Sequence, residues 1–477
     1  MKKKYVRWTL WTIASPFILF IILCILIYLP PIQNFLVDKA AVYASEATGM
    51  NISVGRISLS FPLNLVVTNV DAASPHNDTL LSVRRLQVNV QLLPLLKKQV
   101  EVDGISLQGA TVNSNDLIHG MKLNGTLGEL FISSHGVALD PETAIVNKVL
   151  LKDTDLSLCL NDTAAADTAA SDTAYWKIIL QDIDLQNVSF ALDMPLDSLS
   201  LAASLDNAIL RDGLIDLHKS AYSLQTFRIE NGRVRYDNGK PLAADSLSSG
   251  LDPSHIALTD IGVKLDSLYY GGRNMKAIIS QFVLKERSGV EIVSATGRMV
   301  SNDKVLRVPS LKLETRDSYL ELNAAMDWNA LDFKDEGLVS ARLMADIGKP
   351  DVVRFMGSMD EKFIRQYPSE PLRIRTGIDG DLNKLKLTTL TAELPGALGL
   401  FARGELTHLT DSLLRGGDIT LEAETKDLKF VSTLAEGIEI PYGTRLEGKF
   451  TMAGTKMGTD LPVSYTHLRA HETCADL

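Results

Sequence analysis

Cysteine is nearly absent from this 477-residue chain, which has only Cys24, Cys159 and Cys474. Cys24 lies in an apolar run and Cys474 in an atypical tail, so Cys159 has no partner and no disulfide framework exists. Aromatic residues are also scarce, 6% against 45% apolar residues. The apolar content is therefore mostly Leu, Val, Ile and Ala, a mix that favours strands and aliphatic linings over cores built on large rings. Beyond Lys2, Lys3, Lys4 and Arg7 there is no basic run, and the net charge is −10. A general nucleic-acid binder needs a basic face, so that class is excluded.

Catalytic constellations are missing too. His76, His119, His135, His218, His255 and His408 are not spaced to share a metal as i, i+4 pairs do. There is no nucleophile elbow, no P-loop and no dinucleotide fingerprint. Asp153 with Asp155 and Asp182 with Asp184 would each share one face of a strand and could meet a cation. Solvated outer-face carboxylates beside a turn explain the same spacing better. The expectation is a protein that is not an enzyme and carries no cofactor and no metal.

What is present begins at the N-terminus. Residues 1–7 form a basic tip, followed by an uncharged stretch over 8–30 that includes Trp8, Trp11, Phe17, Phe20, Leu23, Leu26 and Leu29. At 1.5 Å per residue it reaches roughly 33 Å, against about 30 Å for a hydrocarbon core. Trp8, Trp11 and Tyr28 stand where interfacial aromatics stand, and the basic end stays cytoplasmic. A cleaved signal peptide would be shorter and would have a small-residue site close behind it. The expectation is a single-pass anchor, then a short amphipathic helix over 31–49 closed by Gly49.

From residue 50 the period changes from helical to two. Ile52 and Val54 alternate, then Ile57 and Leu59, as in strands with one apolar and one polar face. A phase skip recurs. Val100, Val102, Ile105, Leu107, Ala110 and Val112 are matched, 78 positions on, by Ile178 with Leu180, Ile183 with Leu185, and Val188 with Phe190. Ile261, Val263 and Leu265 follow a similar rule. Asp103-Gly104, Asp182, Asn187 and Asp260 occupy the skips, where a turn or bulge must keep the apolar side chains on one face.

The expected architecture is mainly β. An N-terminal transmembrane helix leads into an elongated, curled antiparallel sheet whose apolar groove is lined by Val102, Ile105, Leu107, Val112, Ile178, Leu180, Ile183, Leu185, Val188, Phe190, Ile261, Val263 and Leu265. It divides into a first segment over 50–160, a low-complexity loop over 161–175, and continuing repeats over 176–461 with a helix near 350–367. The last residues, 462–477, resemble a translated sequencing-adapter oligonucleotide. They are expected to be foreign, with the native chain continuing differently; a natural terminus is the alternative.

Two stretches carry a family resemblance: Thr48-Gly49-Met50-Asn51-Ile52-Ser53-Val54-Gly55-Arg56-Ile57-Ser58-Leu59 behind the anchor, and Val102-Asp103-Gly104-Ile105-Ser106-Leu107. Together with Asp78-Thr79-Leu80-Leu81, Leu311-Lys312-Leu313-Glu314-Thr315 and Gly404-Glu405-Leu406, they resemble the AsmA-like superfamily. Within it, they resemble the inner-membrane subunit of the translocation and assembly module. The resemblance implies a protein fixed in a Gram-negative inner membrane, with its body in the periplasm, a phospholipid cargo and an outer-membrane partner of the BamA type. A scaffold or chaperone for outer-membrane proteins is the alternative it leaves open.

Overall fold

The computed structural model describes residues 51–460 apart from 61–63, 75–77, 92–101, 115–119, 139–141, 162–174, 240–249, 335–336, 357–360, 434–441 and 455, together with parts of 39–50 and 463–465. The anchor expected over 8–30, with Trp8, Trp11, Phe17, Phe20, Leu23, Leu26 and Leu29, lies outside the described residues. Among the described residues no helix is long and apolar enough to cross a membrane. Helical backbone is present at Lys39, Ala41, Val42, Ser45, Glu46 and Thr48. Gly49 closes it at φ 70°, donating its N–H to Ser45 O at 2.9 Å, the left-handed cap a glycine favours.

The chain is mainly β and forms two compact units, residues 1–218 and 219–477. The first unit contains β1 (Asn51–Ser60), β2 (Asn64–Ala73), β3 (Thr79–Val90), β4 (Val102–Asn113), β5 (Met121–Ala138), β6 (Thr143–Leu160), β7 (Lys177–Met194) and β8 (Leu199–Asp216). Each strand pairs with its sequence neighbour. All these ladders are antiparallel except β6–β7, which is parallel, with Thr143 opposite Lys177. The expectation of a wholly antiparallel sheet is therefore corrected. A tight hairpin can join only antiparallel strands, and here the long connection over 161–176 returns the chain to the starting end of β6.

The second unit opens with β9 (Ala221–Leu224), β10 (Thr226–Asp237), β11 (His255–Gly271), β12 (Asn274–Glu286), β13 (Glu291–Ser301), β14 (Val305–Thr315) and β15 (Tyr319–Asp327). The four-residue helix α1 (Trp328–Leu331) leads to β16 (Leu338–Ile347), α2 (Lys349–Phe355) and α3 (Glu361–Gln366). Then come β17 (Leu372–Asp381), β18 (Lys384–Leu394), β19 (Leu398–Thr407), β20 (Gly416–Thr425), β21 (Thr444–Ala453), β22 (Lys456–Asp460) and β23 (Val463–Tyr465). From β10 to β21 every successive pair is antiparallel. The single helix expected near 350–367 is two short ones, α2 and α3. Val463–Tyr465, within the stretch expected to be foreign, pairs with Thr444–Leu446.

Among the described residues, both packed apolar clusters belong to the second unit. One gathers Phe363, Tyr367, Leu394, Ala397, Leu428 and Phe430, where α3 and the 3₁₀ turn at Lys429–Thr433 fold over the ends of β17, β18 and β19. Its aromatic rings meet at 5.1 to 5.8 Å between centroids, at tilted and edge-on angles that suit their quadrupoles. The other joins Ala330, Val339 and Leu382 with Met326 and Leu385 at the opposite strand ends. The helix α2 is fixed by its buried Asp351, which accepts hydrogen bonds from Thr315 Oγ1, from Ser318 Oγ at 2.6 Å and from Arg354 at 3.0 Å. Arg354 also holds Asp317 at 2.7 Å. Burial pulls the Arg354 pKa down, but these carboxylates outweigh it and leave the guanidinium more firmly protonated than usual.

Candidate functional site: an aliphatic sheet face

The pairing registers place side chains in rows that run across the strands. In the first unit one row reads Leu59, Leu65, Val88, Ile105, Ile132, Val149, Ile183 and Leu210, one residue from each of β1 to β8. The next reads Ile57, Val67, Leu86, Leu107, Leu130, Leu151, Leu185 and Ala208 by the same registers. Two more rows lie further along the strands. One is Val54, Val70, Val83, Ala110, Leu127, Thr154, Val188 and Leu205. The other is Ile52, Ala72, Leu81, Val112, Gly125, Leu156, Phe190 and Ala203. Of these thirty-two positions only Thr154 is polar. By contrast, the row Ser53, Asp71, Ser82, Thr111, Thr126, Asp155, Ser189 and Ser204 is polar throughout. So is Arg56, Thr68, Arg85, Gln108, Glu129, Lys152, Gln186 and Asn207. Alternation puts these on the opposite face.

The expected lining residues fall into these rows. Ile105 and Ile183 share one, Leu107 and Leu185 the next, Val188 the third, and Val112 and Phe190 the fourth. The 78-residue spacing is therefore the sequence trace of a shared row. Ile178 and Leu180 continue the face along β7, opposite Ile215 and Gly213 of β8, and Val102 lies opposite Val90. In the second unit Val263 lies between Ile229 and Phe282, and Ile261 faces Gly232. Leu265 joins the row Phe227, Leu265, Ile279, Gly297, Leu311, Leu322, Leu343, Thr376, Leu390, Ala402, Leu421 and Gly448.

This face is not a finished core. None of the thirteen lining positions is buried; Ile105 and Phe190 are exposed and the others half-buried. A sandwich would bury such residues against a second sheet. Two hollows of the second unit lie mostly away from these rows. One of about 560 Å³ is bordered by Arg307, Asp327, Ser340, Asp379, Lys386 and Glu405. Another of about 540 Å³ touches Val263 but is otherwise bordered largely by Arg228, Glu230, Asn231, Asp260, Lys264 and Gln281. Both are polar.

The skips have a backbone cause. Asn187 and Asp260 adopt φ 51° and 52°, and Gly109 supplies φ 61° for the skip after Leu107. At Asp103 the ladder slips by one residue between Asn89 and Val90. Asp182 needs a correction, because the left-handed residue near that skip is Asp212 of β8, opposite Gln181. Nor do the aspartate pairs form cation sites. Asp182 and Asp184 both engage Arg211, while Asp153 is itself left-handed at φ 49° and accepts from Asn187 Nδ2 at 2.9 Å. Among the described residues no group of three or more His, Cys, Asp or Glu side chains is placed to hold a metal. No protein-family model matches the chain, and no curated protein matches it.

Proposed function

We propose that this protein is an anchored bridge whose aliphatic sheet face conducts phospholipids toward an outer membrane. The observation that carries it is the set of four rows, aliphatic at all but Gly125, Thr154 and Phe190 and for the most part half-exposed, across eight consecutive strands. Moving a two-chain phospholipid through water exposes its methylenes at roughly 0.8 kcal/mol each, more than 20 kcal/mol for about thirty of them. A continuous apolar face removes most of that cost while the head group stays wet. The N-terminal hydrophobic stretch supports an inner-membrane anchor with the body in the periplasm. The resemblance to the AsmA-like superfamily, and within it to TamB, supports the same placement, action with a BamA-type outer-membrane partner, and a role in outer-membrane assembly.

The test places a photo-crosslinking residue at Leu185 or at Gln186, neighbours on opposite faces of β7, and analyses the adducts by mass spectrometry. Phospholipid adducts at Leu185 and none at Gln186 are expected, and Leu185→Asp should block passage. Adducts to an unfolded outer-membrane protein would instead make the face a chaperone surface. Equal labelling at both positions, or none, would overturn the proposal.

A further inference from the structure

In the first unit, besides other slips, every strand ladder omits a pairing along one shared line of positions. Between Val54–Val70 and Arg56–Thr68 stand Gly55 and Asn69; between Thr68–Arg85 and Val70–Val83 stands Arg84. The line continues through Gly109 and Gly128 to Asp153, Asn187 and Asp206. It thus crosses all eight strands. The left-handed residues on it are Asn69 (φ 52°), Gly109 (φ 61°), Asp153 (φ 49°) and Asn187 (φ 51°). Every antiparallel pair contains one of them, and the parallel pair β6–β7 contains two. Asn and Asp tolerate this conformation better than other side chains. Opposite Asp153 only a glycine fits, since a Cβ on Gly128 would stand 2.8 Å from the Asp153 Cβ.

A single such irregularity bends its strand and sharpens the local twist. Seven aligned ones, one per ladder, bend the sheet along one line, as deliberate bulges and glycine kinks do in curved sheets. Burial shows which side is concave. On the aliphatic face, rows flanking the line contain four buried residues, Val83 (6% exposed), Ala110 (9%), Thr154 (2%) and Ala208 (5%), whereas the outer rows contain the exposed Ile105 (36%) and Phe190 (38%) and one buried residue, Ala72 (5%). The side chains of Asn69, Asp153, Asn187 and Asp206 are themselves exposed.

We infer that this line of left-handed residues is the floor of an aliphatic trough, and that Asp153 and Asn187 are positioning residues that set its capacity for acyl chains by backbone conformation. The inference rests on the lipid-conducting reading above. The two walls are the paired rows on either side, and the trough runs across the strands for about 34 Å at roughly 4.8 Å per strand. Chains would lie along it, not along the strands.

The test separates conformation from side-chain chemistry. The full chain and its Asp153→Gly/Asn187→Gly and Asp153→Val/Asn187→Val variants are incubated with vesicles of phosphatidylethanolamine and phosphatidylglycerol, re-isolated, and assayed for lipid phosphorus per chain. Glycine keeps the left-handed backbone and removes the Asn187–Asp153 hydrogen bond; valine removes both. Retention of lipid by the glycine variant and loss of most of it by the valine variant is the expected result. Circular dichroism checks that strand content is intact, and Asp153→Ala/Asn187→Ala replaces the valine pair if that pair unfolds. Equal lipid in the parent and the valine variant would overturn the inference and leave the conducting reading standing. Loss in both variants would assign the effect to the hydrogen bond and likewise overturn it. A parent chain that takes up no lipid would overturn the conducting reading itself, and the inference with it.

Discussion

The two units present the same kind of aliphatic row but hold it in different ways. The second unit closes its strand ends with packed side chains: Phe363, Tyr367 and Phe430 at one end, Ala330, Val339 and Leu382 at the other. Between β15 and β17, and again between β19 and β21, its registers run without a slip. The first unit contributes no such cluster among the described residues, and the buried apolar residues of its sheet are small, Ala72, Val83, Ala110 and Ala208 beside the single Leu80. Its regularity is instead a line of backbone conformations. A sheet face can therefore be kept from collapsing either by bracing its borders or by fixing the φ angles of a few Asn, Asp and Gly residues, and this chain uses both.

The contrast is broken most directly at Phe363, which is 2% exposed. Phe363→Ala should cost about 4 kcal/mol through the cavity it leaves. Ile183→Ala, on a half-exposed face, should cost about 1 kcal/mol. Hydrogen exchange read peptide by peptide over both units checks this; similar losses at the two positions would mean that the first unit has a packed core after all. Next in size is Asp351→Ala, which strands the Thr315 and Ser318 hydroxyls and removes one partner of Arg354. A loss of about 3 kcal/mol is expected, with faster exchange in α2 and at the β14–β15 turn and no change in β1 to β8.

The smallest effect concerns Asp252, whose carboxyl is held below its ordinary 3.8 chiefly by the hydrogen bond from His255 and then by the Ser254 N–H. Because the folded pKa is depressed, its stabilisation is complete above about pH 4 and fades as pH falls through the lower folded value. Asp252→Asn should therefore lower the thermal midpoint at neutral pH slightly and have a shrinking effect below pH 4. A difference that grew on acidification would reverse the assignment.

Much of this architecture was legible in the sequence, for a physical reason. Side chains alternate with period two, and successive strands put aliphatic residues at most crossings of a row, so the 78-residue spacing of Ile105 with Ile183 and of Phe190 with Val112 survives in the letters. Asn187 and Asp260 announced their skips because turn-forming residues tolerate positive φ. Asp182 misled, since the left-handed residue belongs to Asp212 across the ladder, and pairing is not written in one strand. Asp153 looked like half of a cation pair because side-chain chemistry was visible and its φ was not. The parallel step was hidden because the polar run over 161–175 marks a loop without giving its direction. The clusters at the strand ends were hidden because Phe363, Leu394 and Phe430 meet only through tertiary contacts.

That parallel step has a kinetic consequence. In the first unit each strand docks on the one that precedes it, so the order of synthesis is also an order in which structure can grow, with little chain entropy lost per hairpin. The step from β6 to β7 is different. Thr143 must find Lys177 across 34 residues of chain, and no short turn can guide it. Assembly of the unit should therefore run quickly through β6, pause, and resume with β8, and the half-built β1–β6 intermediate would present the edge of β6 to solvent for the length of the pause.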